Sequence, residues 1–231
     1  MQLFYTDNTD TQFTLNSEES KHITKSLRKK EGDVLNFTDG KGNLLIAEII
    51  SSDLRKTRVK VIEKIGKEKG HNYYLHIAIA PTKNMDRFEW FLEKATEIGI
   101  DEITPIICDR SERKVVRTER CNKILLSAMK QSLKFHKPKL NESISFTDFI
   151  KKDLEGSKYI AHCEKSEKIE LKDKETEKKI LILIGPEGDF SPTEIEEADN
   201  NNYQAISLGN NRLRTETAGV VAVATINIIT L

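Results

Sequence analysis

Hydrophobic and polar positions follow two different rhythms along this chain, and the change falls near residue 70. Before that point the apolar runs are short. Residues 3–5, 34–37 and 44–50 form such runs. Residues 58–62 alternate, with Val59 and Val61 on one face and Arg58, Lys60 and Ile62 on the other. Alternation with period two marks a strand that buries one face. Asp39-Gly40-Lys41-Gly42-Asn43 separates two of the runs and predicts a tight turn. One helical stretch fits around 18–29. Short strands joined by turns predict a small β-barrel over residues 1–70. Residues 64–72 (KIGKEKGHN) are polar, contain Gly66 and Gly70, and read as a linker.

Beyond the linker, strand and helix patterns alternate. Residues 74–80 place Leu75, Ile77 and Ile79 on one face of a strand. Residues 86–98 place Phe88, Phe91, Leu92, Ala95 and Ile98 on one helical stripe, which Gly99 terminates. Strands are predicted at 103–107 and 158–163, with a helix at 119–135 between them. Residues 180–184 are continuously apolar, as in a parallel strand covered on both faces. Ser191-Pro192-Thr193-Glu194 forms a capping box with proline at the first helical position. A last strand fits 205–208. A last helix fits 215–229, and it is apolar almost all round. Such a helix is buried in a core or against a second subunit. This alternation predicts an α/β domain with a mostly parallel sheet over 73–231.

Charge sharpens the picture. The chain carries 37 basic and 37 acidic residues, a formal net charge of zero. The balance is local, however. Residues 110–139 hold ten Lys/Arg against two acids, whereas 164–200 hold twelve acids against six lysines. The first segment is a candidate surface for a polyanion, or else a solvated helix face. Cys108, Cys121 and Cys163 show no CxxC spacing, which argues against a disulfide framework or a metal knuckle. No N-terminal apolar stretch has the form of a signal peptide and no run is long enough to span a membrane, so a cytoplasmic location is expected.

Ligands of open parallel sheets bind beyond the carboxyl ends of the strands. Two segments stand there, 185–192 (GPEGDFSP) and 207–217 (SLGNNRLRTET). Neither carries a GxxxxGK[ST] or GxGxxG phosphate motif, and Glu187 and Asp189 would repel a phosphate. A cationic ligand suits the first loop better. Two well-formed turns without any ligand fit the residues as well.

These segments, LIGPEGDFS…EI and SLGNNRLRTETAG, resemble the SPOUT class of methyltransferases. More narrowly, the chain resembles the bacterial 16S ribosomal RNA (uracil-N3)-methyltransferase family, RsmE. The resemblance runs through His22 and Leu27-Arg28, Lys83, Phe88-Glu89, Lys94-Ala95-Thr96-Glu97 and Gly99, Pro105, Arg110-Ser111, Gln131-Ser132 and Pro138. It implies a small N-terminal PUA-like β-barrel that binds RNA, followed by a SPOUT domain with a parallel sheet and a deep trefoil knot. Two stretches depart from the family pattern. Gly188-Asp189-Phe190 stands for Gly-Gly-Phe, which asks Asp189 for a left-handed backbone. Asn210-Asn211-Arg212-Leu213-Arg214 stands for Pro-Arg-Ile-Leu-Arg.

The resemblance further implies an S-adenosylmethionine-dependent enzyme acting on N3 of a uridine in small-subunit ribosomal RNA, without a metal and as a homodimer. It implies a cofactor held by Ala161, His162, Cys163, Gly185, Pro186, Glu187, Gly188, Ser207, Leu208, Gly209, Asn210, Leu213, Thr217 and Ala218. Arg214 and Glu216 are the candidate catalytic pair: the guanidinium can favour a deprotonated uracil ring, and the carboxylate can position it or accept the proton. A structural ion pair is the other reading of these two. Lys25, Arg28, Lys29 and Lys30 on the barrel, and Arg110, Arg113, Lys114, Arg117 and Arg120 beyond it, are candidate RNA contacts. Other readings are a SPOUT enzyme methylating ribose 2′-O or guanosine N1, and a non-catalytic RNA-binding protein. A nucleotide-binding α/β domain is disfavoured by the missing phosphate motif.

Overall fold

The computed structural model describes residues 1–8, 10–174 and 177–230. It divides into two compact units, Met1–Lys69 with Met129–Lys137, and Gly70–Ala128 with Pro138–Leu231.

In the first unit, β1 (Leu3–Tyr5), β2 (Gln12–Thr14), β3 (Val34–Thr38), β4 (Asn43–Ser51) and β5 (Arg58–Gly66) form one sheet in the order β1-β3-β4-β5-β2. Only β1–β3 is parallel. The curled sheet wraps a core of Phe4, Phe13, Leu35, Phe37, Leu45, Ile49 and Val59, with Ile23 among them. Ile23 comes from a π-helical turn, His22–Ser26, that continues α1 (Ser17–Lys21). The helix expected to reach residue 29 stops earlier, and Arg28 takes a left-handed backbone with φ 55°. β5 runs through Gly66 because residues 63–66 pair with Asn43, Leu44, Leu45 and Ile46, so sheet hydrogen bonding claims the start of the expected linker. β2 has a single buried residue, Phe13, too little for a visible period.

The second unit contains β6 (Tyr74–Ile79), α2 (Met85–Ile98), β7 (Glu102–Ile107), α3 (Thr118–Gln131), β8 (Lys139–Leu140), β9 (Ile144–Ser145), α4 (Phe146–Ile150), β10 (Ser157–Ala161), β11 (Ile169–Glu170), β12 (Lys179–Ile184), α5 (Pro192–Asn200), β13 (Gln204–Ser207) and α6 (Thr215–Ile229). Its strands run β11-β13-β10-β12-β6-β7-β8, with β9 beside β7, and all pair in parallel. The alternation read from sequence becomes two cores. Leu75, Ile77, Ile79, Ile180, Ile182 and Ile184 pack on one face with α2 and α6 residues. Ala78, Leu181 and Leu183 pack on the other with Phe146, Phe149, Phe190 and Ala198 of α4, α5 and the loop before α5. α6 is not buried all round: Glu216, Gly219, Ala222, Val223 and Ile226 face inward, while Ile228 is 66% exposed.

Part of α3 belongs to the first unit. The helix expected to reach residue 135 ends at Gln131, and Leu133 turns left-handed with φ 54°. The following residues then pair with the β3–β4 turn. Gly42 N donates to Phe135 O (2.8 Å) and Lys137 N to Gly40 O (2.8 Å).

Gly219 sets the approach of α6 to its neighbours. A Cβ there would lie 2.7 Å from the Phe91 ring and 2.9 Å from Ile79 Cδ1, both fully buried. Gly219→Ala is therefore expected to lower the melting temperature. Its overpacking cost of about 1–3 kcal/mol exceeds the roughly 1 kcal/mol gained in helix propensity. A melting temperature raised by Gly219→Ala would show that the helices have room to spare.

A polar network ties the opposite end of the sheet. His76 Nε2 is hydrogen-bonded to Thr104 Oγ1 (2.7 Å), which also accepts from Asn141 Nδ2 (2.7 Å). Burial pushes the His76 imidazole down to about 4, with Lys139 and Lys152 adding to it and the Glu102 carboxylate opposing. The folded state thus holds His76 neutral while the unfolded chain takes up a proton below about 6.5. Stability from this source is complete above pH 6.5 and is lost as pH falls towards 4, by up to about 3 kcal/mol. Urea denaturation across that range checks it: His76→Asn should flatten the slope, and an equally steep loss in that variant would assign the effect elsewhere.

Candidate functional site

A parallel sheet brings the carboxyl ends of its strands to one edge. Ala161 pairs in register with Ile184 on one side and Ile206 on the other. The segments that follow, 162–168, 185–191 and 208–214, therefore leave the sheet together. They enclose a cavity of about 1000 Å³. Ile184, Pro186, Ile206, Leu208, Leu213 and Ala218 give it apolar walls. Ala161, His162, Cys163, Gly185, Glu187, Gly188, Ser207, Gly209 and Asn210 complete the expected positions on its lining. Thr217 is not on the wall. It sits on the first turn of α6 next to Ala218, and successive helical residues point about 100° apart.

The loop after β12 is fastened from several sides. Asp189 N donates to Pro186 O (2.9 Å), closing a turn. Asp189, and neither Gly185 nor Gly188, takes the left-handed backbone, with φ 63°. Its carboxylate accepts from Phe190 N (2.9 Å) and from Cys163 N (2.7 Å). Glu187 Oε1 accepts from Lys83 N (2.9 Å), and Arg110 Nη1 donates to Gly188 O (2.9 Å). The capping box forms as expected. Its Glu194 is buried and uses its second oxygen on Asp109 N (2.9 Å). Thr215 Oγ1 at the start of α6 donates to Gly185 O (3.0 Å). In the loop after β13, Gly209 has φ 110°, and a side chain there would meet nothing within 4 Å. Its backbone angle, rather than crowding, calls for glycine.

His162 is buried, yet neither ring nitrogen has a hydrogen-bond partner among the described residues. Burial lowers its pKa, as does nearby Lys168, against the opposing Asp189 and Glu164. A neutral imidazole offers one donor and one acceptor, and leaving both unmet underground is costly. The cavity wall thus combines apolar surface with an unmet donor and acceptor.

Arg214 and Glu216 part company. Arg214 is exposed, precedes α6 as its N-cap residue, and lines the cavity. Glu216 is buried and absent from the cavity wall, with Oε1 3.9 Å from Arg87 Nε and Oε2 unpaired among the described residues. One residue separates them in sequence, which turns their side chains to different sides of the helix start.

The basic residues also divide. Arg110 holds the β12 loop, as above. Arg113 donates from Nε and Nη2 to Lys83 O (3.1 and 2.9 Å). Arg120 donates to Glu89 (2.8 Å). Lys114 and Arg117 are exposed. In the first unit Lys25, Arg28 and Lys30 are exposed, while Lys29 lies 3.8 Å from Asp33. Residues outside the expected site positions also line the cavity, among them Asp189, Lys168 and Arg212. Asp189 and Arg212 stand where the chain departs from the family pattern, whereas Lys168 carries no such signal. Among the described residues, no group of three His, Cys, Asp or Glu is placed to hold a metal, and no helix is long and apolar enough to cross a membrane.

The family model described as an RNA methyltransferase domain matches residues 69–227, and that of an RNA methyltransferase PUA domain matches 15–62. The ribosomal RNA small subunit methyltransferase E of Rickettsia conorii is 30% identical over 93% of this chain and 89% of its own. Among solved structures, a probable rRNA-methyltransferase from Porphyromonas gingivalis is 39% identical, with a TM-score of 0.95 over 100% of this chain and 98% of its own. The ribosomal RNA small subunit methyltransferase E from Neisseria gonorrhoeae, solved bound to S-adenosyl methionine, is 26% identical, with a TM-score of 0.85 over 99% and 97%. This chain belongs to the ribosomal RNA small subunit methyltransferase E family.

Because Arg110 braces the β12 loop, Arg110→Ala should speed hydrogen exchange at the Asp189 amide. The expected change is about five-fold, the order for losing roughly 1 kcal/mol of hydrogen bonding. Lys114→Ala serves as the control. Equal exchange in both variants would deny Arg110 this bracing role.

Proposed function

We propose that this protein transfers a methyl group from S-adenosylmethionine to N3 of a uridine in small-subunit (16S) ribosomal RNA. The observation that carries the reading is the cavity at the carboxyl edge of the parallel sheet, with apolar walls and an unpartnered buried His162. The backbone of 185–188 and 207–213, with Ala161, His162 and Cys163, holds the cofactor. Ile184, Ile206, Leu208 and Leu213 offer its adenine apolar surface, and His162 offers a donor and an acceptor for a polar edge. When bound, the cofactor supplies a methyl group on a sulfonium whose leaving group is neutral.

The protein's remaining tasks concern the base. N3 of uracil carries an imide proton and must lose it before or during attack. No acid is needed for the departing thioether. The enzyme has to align the ring and stabilise its developing negative charge. Arg214, exposed on the cavity wall, is the residue for this: its guanidinium donates to a uracil carbonyl oxygen and favours the deprotonated ring. Glu216, turned towards Arg87, supports the start of α6 rather than taking the proton.

Lys25, Arg28, Lys30, Lys114 and Arg117 meet RNA phosphates, and the target base is splayed out of its stack to reach the cavity. The trefoil knot belongs to this proposal, supported by β12 inserting between β6 and β10, which both precede it in sequence. So does homodimer formation, supported by the exposed Ile228 on α6. The setting is the cytoplasm, with ribosomal RNA.

Incubation with labelled cofactor and small-subunit RNA should yield 3-methyluridine. Arg214→Ala should cut that transfer by about 100-fold, the scale of losing one preorganised donor to a developing anion, with cofactor affinity changed less than about two-fold. Wild-type turnover in this variant would remove Arg214 from the mechanism.

A further inference from the structure

Asp189 is the half-buried acid on the cavity wall, and its carboxylate accepts two backbone amides. Its two oxygens accept from Cys163 N and Phe190 N, and no cation among the described residues lies within ion-pair distance. Glu187 and Glu164 also line the cavity, but both are exposed, whereas Asp189 is half-buried. Amide donors stabilise a carboxylate without cancelling its charge. The bond to Cys163 also joins two segments that leave neighbouring strands, 162–168 and 185–191. It falls next to His162, the buried ring with no partner. Of the cations on the same wall, Lys168 is engaged through Nζ with His162 O (2.8 Å) and Glu164 O (2.6 Å), while Arg212 lies near Cys163 without pairing with Asp189. The left-handed backbone that Asp189 adopts is disfavoured for most side chains, and aspartate is among the few that tolerate it.

We infer that Asp189 is a positioning residue that clasps the two cofactor segments and whose charge, held by amides and not by an ion pair, makes the cavity prefer a cationic occupant, S-adenosylmethionine, over its neutral-sulfur product. This rests on the cavity being the S-adenosylmethionine site. The two molecules differ by the methyl group and by the positive charge on sulfur, and they share the adenosine and amino-acid parts. A clasp alone acts on both equally. A charge acts on their difference. The preference eases exchange of spent product for fresh cofactor.

Calorimetric titration of wild type, Asp189→Asn and Asp189→Gly with S-adenosylmethionine and S-adenosylhomocysteine separates the two parts. Asparagine tolerates the left-handed backbone and keeps one acceptor oxygen, enough for Cys163 N across the two segments while the local bond from Phe190 N is given up. In Asp189→Asn the ratio of product Kd to cofactor Kd should fall roughly three- to ten-fold, the order for one unit charge in a partly screened site, with product affinity held within about two-fold. The same ratio should recover less at low salt in that variant than in wild type. Asp189→Gly suits the backbone, loses charge and clasp together, and should weaken both ligands while showing the same reduced ratio. A ratio unchanged from wild type in both variants overturns the charge preference. Product affinity unchanged in Asp189→Gly overturns the clasp. Wild type binding neither molecule sinks the assignment of the cavity and this inference with it, an outcome visible before any variant is made.

Discussion

The two hydrogen-bonded ladders of β12, to β6 on one side and β10 on the other, hold the centre of the catalytic unit. Ile184 ends both ladders, beside Ile79 and Ala161. Parallel pairing compels the chain to leave the sheet at that edge, so the 185–191 loop emerges against 162–168 and opposite the loop of β13. The isoleucines of β12 then lock the geometry from below, burying Ile180, Ile182 and Ile184 against one helical layer and Leu181 and Leu183 against the other. A shift of one residue would exchange these faces and move Gly185 off the edge. The cavity is thus a product of strand register, with the loops supplying its chemistry.

Those loops are held largely by groups that are charged but face the backbone. Arg110 reaches two carbonyls, Glu187 and Asp189 each take an amide from another segment, and Glu194 takes two. Such contacts fix a loop without requiring a matching side chain elsewhere. They also mean that basic residues beside the cavity serve the protein before they serve RNA. Arg110 and Arg113 face backbone carbonyls and Arg120 pairs with the Glu89 carboxylate, whereas Lys114 and Arg117 are exposed.

Much of this was readable from the residues. Strand faces follow period two, so the sequence alone puts Leu75, Ile77 and Ile79 on one side. The bounds of α6 and the capping box at Ser191 and Glu194 follow from local chemistry. The left-handed backbone at Asp189 was legible as a non-glycine in a glycine turn. Other features were hidden because they depend on partners distant in sequence. Gly66 reads as linker until Asn43 is seen to pair with it. Glu216 reads as a companion of Arg214, and only the packing of α6 on α2 turns it to Arg87. β8, β9, α4 and β11 are too short for any period to show. The membership of the family rested on the order of weak blocks, which no single element supplied.

The excursion Met129–Lys137 has a consequence for how the molecule is made. Its backbone completes the β3–β4 turn through Gly40 and Gly42, so part of the first unit is encoded after nearly all of α3. A nascent chain emerging amino end first presents the barrel strands early, with that turn still bare. The unit closes only when Lys137 has left the ribosome, by which time β6, α2 and β7 have been synthesised as well. The two units therefore mature as interleaved pieces of one chain, and residues 1–69 expressed alone would lack a strap that belongs to them.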